Sequence, residues 1–88
     1  MTARIYDFTE IRTAVEMLES VSSDGRLLAL KNLCENNNGI WTIPEKPESY
    51  NPVFFEIALY GVPACATDPE QLAPNWLKAA HAILEGAA

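Results

Sequence analysis

The sequence has little of what chemistry at a site requires. It contains one histidine, His81, and two cysteines, Cys34 and Cys65, far apart in the chain. No two groups able to act as nucleophile, base or soft metal ligand stand at a usable spacing. A general base needs a partner that orients it, and a structural zinc needs four ligands at tight spacing. The pattern therefore predicts no enzyme, no metal site and no cofactor. Glycine is sparse and isolated, at Gly25, Gly39, Gly61 and Gly86, so no phosphate-cradling loop is written here. Positive charge is scarce as well. Arg4, Arg12, Arg26, Lys31, Lys46 and Lys78 are scattered among twelve Asp and Glu, for a net charge of −6. A nucleic-acid backbone is bound by summing such cations, so direct nucleic-acid binding is disfavoured.

Long hydrophobic runs are missing too. The uncharged stretch from Ile57 to Thr67 is interrupted by Gly61 and Pro63, whereas a membrane helix needs about 20 mostly apolar residues. The first residues, Met1 to Asp7, hold no apolar segment of the secretory type. Two unclustered cysteines then read as reduced thiols. The expectation is a soluble cytoplasmic protein with no membrane partner.

What is present is a globular composition, 49% apolar and 20% charged. A chain of this length makes one domain, residues 1–88, able to hide roughly 60–65% of its extended surface. Asp7 and Glu10 have the spacing of a capping box, and Tyr6 with Ile11 that of a hydrophobic staple. Phe8, Ile11, Ala14, Val15, Leu18 and Val21 then share one side of a helical wheel, with Arg12, Glu16 and Glu19 opposite, which predicts a helix over 8–21. Ser22-Ser23-Asp24-Gly25 breaks it and can cap the next. That helix, over 25–36, gathers Leu27, Leu30, Leu33 and Cys34 on one face and ends at Asn36-Asn37-Asn38-Gly39, residues tolerant of the left-handed conformation. Leu28 points elsewhere, between Lys31 and Glu35. A broad core face accounts for it most simply; otherwise it is a contact point for a partner.

Ile40-Trp41-Thr42-Ile43 is β-branched and aromatic and reads as a strand. A loop with three prolines follows, over 44–52. The stretch 53–60 is open to two readings, because Asn51-Pro52 and Gly61 could cap a helix. As a strand, Val53, Phe55, Ile57 and Leu59 line one face, and this reading is preferred. Val62 to Ala66 can continue the strand only at an edge, because Pro63 has no amide hydrogen. Asp68-Pro69-Glu70-Gln71 has the form of a helix start, yet Pro74 leaves open whether the last helix begins at Pro69 or at Pro74. Beyond it Trp76, Leu77, Ala80, Ile83 and Leu84 form an apolar arc, with Lys78, His81 and Glu85 on the wet side. The predicted fold is α+β, in the order α-α-β-β-α, with helices on one face of a small antiparallel sheet.

The candidate sites follow from that placement. His81 sits on an exposed helix face with Glu85 one turn away, which makes it a solvated residue rather than a base with a substrate. Cys34 is a small core residue of the second helix, and Cys65 is exposed or buried. The carboxylate pairs Glu16/Glu19 and Glu45/Glu48 lie on surfaces, without the dry pocket that splits catalytic pKa values. The credible binding features are aromatic and apolar: Leu28, Trp41, Tyr50, Phe54 and Tyr60 form the candidate interaction surface. Open sheet edges can also pair with a second copy, so a homodimer through the sheet or through Leu28 is expected.

Two resemblances follow from these segments. The first two helices, joined by the turn at Gly25 and followed by the 40–60 region, are loosely similar to helix-turn-helix or winged-helix modules, which would imply a DNA-binding regulator. The presumed recognition helix offers only Arg26 and Lys31, fewer contacts than groove reading needs. The run Glu56-Ile57-Ala58-Leu59-Tyr60-Gly61, through Thr67-Asp68-Pro69-Glu70-Gln71 to Trp76 and Ala80, looks like the strand–turn–helix of HicB-type antitoxins, although the two preceding helices depart from that pattern. Neither resemblance assigns the chain to a family. The functional expectation is a small acidic, non-catalytic protein–protein interaction module, an inhibitor or antitoxin-like partner of a basic nucleic-acid-handling protein of phage or mobile-element type. A DNA-binding regulator is the alternative.

Overall fold

The computed structural model describes residues 6–41 and 55–86. The α+β class and the order α-α-β-β-α are what the chain adopts, with the second β segment folded into a hairpin. Helix α1 spans Phe8–Ser20, and α2 spans Arg26–Asn36. Strand β1 is Ile40–Trp41, β2 Phe55–Leu59 and β3 Val62–Ala66, and α3 runs Leu72–Gly86. The described strands form an antiparallel sheet in the order β1-β2-β3. Residues 42–54, which hold the proline loop, Tyr50 and Phe54, lie outside the described residues.

Both capping signals at the helix starts are realised. The Asp7 carboxylate accepts from the Glu10 amide at 3.1 Å, and that of Asp68 from the Glu70 amide at 3.0 Å. Each satisfies a donor that a helix end leaves orphaned. Asp68 opens a 3₁₀ turn, Pro69–Gln71, which passes straight into α3 at Leu72. The last helix thus starts at neither proline. Pro74 falls in the first turn of α3, the part of a helix that tolerates proline.

The joint between α1 and α2 is made differently from the serine cap that the sequence suggests. Ser22 makes no side-chain capping bond to the 3₁₀ turn Ser23–Gly25. Instead the Arg26 guanidinium folds back over the end of α1. Its Nε donates to the carbonyls of Leu18 at 2.8 Å and Val21 at 3.0 Å, and a terminal nitrogen to Glu19 at 3.3 Å. A cation on the last carbonyls of a helix satisfies orphan acceptors and complements the negative end of its dipole.

Segment 53–60 resolves as strand over its described part, since Phe55, Ile57 and Leu59 are buried while Glu56 is exposed. Val62–Ala66 is more than a continuation. It turns back on β2, pairing Leu59 with Val62 and Phe55 with Ala66. The two-residue turn is Tyr60-Gly61, with φ of 54° and 81°. Positive φ at both centres is what a type I′ turn demands, because its twist matches that of the flanking strands. Tyrosine is an unusual occupant of the first position. The turn lies beside the start of α1, where the charges of Glu10 and Asp7 act on its phenol. At the end of α2, Asn38 adopts a φ of 59° and the Gly39 amide donates to the Cys34 carbonyl at 2.7 Å. A Cβ on Gly39 would lie 2.6 Å from the Ala58 carbonyl, so only glycine lets α2 hand the chain to the sheet this closely.

The core gathers Ile11, Ala14, Val15 and Leu18 of α1, Leu30 and Cys34 of α2, the inward face of β2 and β3, and Leu72, Ala73, Trp76, Leu77 and Ala80 of α3. Trp76 is its largest fully buried side chain, and the indole N–H donates to the Val62 carbonyl at 3.1 Å. Among the described residues no buried side-chain nitrogen or oxygen lacks a partner. Two substitutions test this arrangement. Trp76→Phe shrinks the core and orphans one carbonyl contact, and should cost about 2 kcal/mol, a fall of roughly 10 °C in Tm by calorimetry for a domain of this size. Arg26→Ala should lose about 1–2 kcal/mol in urea unfolding, and Arg26→Lys should recover less than half, since lysine keeps the charge without the fork.

Candidate functional site

Register separates the two faces of the sheet. Trp41, Ile57 and Ala64 face each other across the three strands and pack against the core. One residue along, Ile40, Ala58 and Pro63 form the matching row on the opposite face, where Ile40 and Pro63 are exposed and Ala58 is half-buried. Beside it lies an open depression of about 310 Å³ bounded by Glu56, Ile57, Pro63, Ala64 and Cys65.

The residues singled out from sequence are not brought to one place. Trp41 is half-buried on the core side of β1, and Tyr60 is half-buried in the hairpin turn. Tyr50 and Phe54 fall outside the described residues. Leu28 is 63% exposed, which overturns the broad-core-face reading of α2. Only Leu30 and Cys34 of that helix are fully enclosed, because the short domain packs α2 along one narrow stripe. Ile40, which the sequence reading placed only in a strand, is 57% exposed. Phe8 and Met17 of α1 are the other large apolar side chains left in solvent among the described residues.

His81 finds a partner, but not the expected one. Its Nε2 lies 2.8 Å from Glu19 Oε2, across the gap between α3 and α1, and not against Glu85. Both side chains are about half exposed, so the pair is a surface tie between two helices and contributes little to stability. Tyr60 is held protonated more firmly than a free phenol, first by burial and then by its hydrogen bond to Glu10 and the charges of Glu10 and Asp7. No group of three or more His, Cys, Asp or Glu among the described residues converges as metal ligands would.

The cysteines part company. Cys34 is fully buried on α2, with its thiol directed to the Ala58 carbonyl at 3.8 Å. Burial, helped by the charge of Glu35, pushes the thiol from its ordinary 9.0 up to about 11. Cys65 is exposed on the outer face of β3. Since the thiolate is the reactive form, a thiol-specific chromophore at pH 8 should label one cysteine per folded chain and two in urea. Mass mapping should place the first label on Cys65.

The β3 edge bears directly on self-association. The two-residue turn makes Leu59–Val62 the closing bonded pair, so Pro63 and Cys65 turn their backbone groups away from β2. Pro63 has no hydrogen to offer there, and the Cys65 carbonyl already accepts from Asn75 Nδ2 at 3.0 Å. Both devices blunt an edge against pairing with another chain. This argues against a homodimer built by sheet extension at β3. The double substitution Pro63→Thr with Asn75→Ala should restore a hydrogen-bonding edge and raise the mass measured by light scattering at micromolar concentration.

No helix among the described residues is long and apolar enough to cross a membrane. Comparison with known proteins finds no matching family model, curated protein or solved structure.

Proposed function

We propose that this chain is a small non-catalytic interaction protein that acts by binding a basic, nucleic-acid-handling protein. The observation that carries the reading is the balance of charge. Twelve carboxylates face six cations, and one of the six, Arg26, is committed to the carbonyls at the end of α1. An acidic surface of this kind attracts a cationic partner and accelerates its encounter. Leu28, on the outer side of α2 and 63% exposed, supplies apolar area for close contact. The engagement of His81 with Glu19 between two helices supports a structural part for the imidazole rather than a chemical one. The same bonds of Arg26 weaken the regulator alternative, because the first residue of α2 is where a recognition helix would present a side chain to DNA.

The test compares the wild-type chain with Leu28→Asp, a change that should alter stability by less than about 0.5 kcal/mol because the side chain is already in solvent. Immobilised wild-type chain should retain a basic nucleic-acid-binding protein from lysate of the organism that encodes it, released as salt rises, and Leu28→Asp should retain at least tenfold less. Recovery of no such protein would overturn the reading. A salt-sensitive shift of labelled duplex DNA by the chain alone would favour the regulator instead.

A further inference from the structure

We draw no further inference here: the strongest candidate, the uncovered outer face of the sheet where Ile40, Ala58 and Pro63 line up beside the depression at Glu56 and Cys65, carries nothing because nothing in the structure shows what covers it.

Discussion

The fold depends on how α3 grips β3. Trp76 is wholly buried, yet its indole carries a polar N–H that must be satisfied where no water reaches. The Val62 carbonyl meets it, one strand residue after the turn. The neighbouring Asn75 reaches the Cys65 carbonyl three residues further along the same strand. Two consecutive helix residues thus hold two points on one strand, which fixes both the position of α3 along β3 and the angle at which it lies. The indole then fills the space between the sheet and α1, and packing around a rigid ring leaves few alternative arrangements.

Around that grip, polar side chains are spent at the ends of elements rather than in the core. Asp7 and Asp68 satisfy amides at two helix starts, and Arg26 satisfies carbonyls at a helix end. Asn75 reaches from the start of α3 to the Cys65 carbonyl on β3. None of the described buried residues is polar or charged. A domain this small has a high ratio of surface to volume and little apolar area to offset an unpaired buried group. Keeping the interior dry and placing hydrogen bonds at element termini is the arrangement that such a size permits.

Much of this was legible in the residues. The Asp7 cap, the period-two pattern of Phe55-Ile57-Leu59 and the Asn-Gly end of α2 are local signals realised locally, and the wheel of α1 holds for Ile11, Ala14, Val15 and Leu18, while Phe8 is exposed and the helix ends at Ser20, before Val21. What escaped the sequence was decided by tertiary partners. The Tyr60-Gly61 turn carries no Asn-Gly or Asp-Gly signature, so its positive φ at both centres was not legible locally. Pro63 signalled an edge, but whether that edge belonged to the same strand or a new one depended on that turn. Arg26 reads as a surface cation on any wheel. Only the turn between the helices brings it within reach of Leu18, Glu19 and Val21. Spacing reads His81 as a solvated residue with Glu85 one turn away, whereas packing of α1 on α3 offers Glu19 at 2.8 Å.

The same division between local and tertiary control explains why function is harder to read than fold. A catalytic constellation would leave a trace in side chains drawn together, as Trp76 and Val62 are drawn together by packing. A binding surface leaves a weaker one, since single exposed apolar residues are ordinary on any protein. Leu28 gains meaning from its setting: it stands on a helix whose first residue is locked to α1, on a molecule with a net charge of −6. A rigid helix keeps the orientation of such a side chain, so less entropy is lost when it is buried against a partner. On the proposed reading, charge selects which partners approach and the apolar contact sets how long they stay. The β3 edge, blunted by Pro63 and by the Asn75 bond to the Cys65 carbonyl, offers little for strand extension, so the proposed reading places contact on side chains instead.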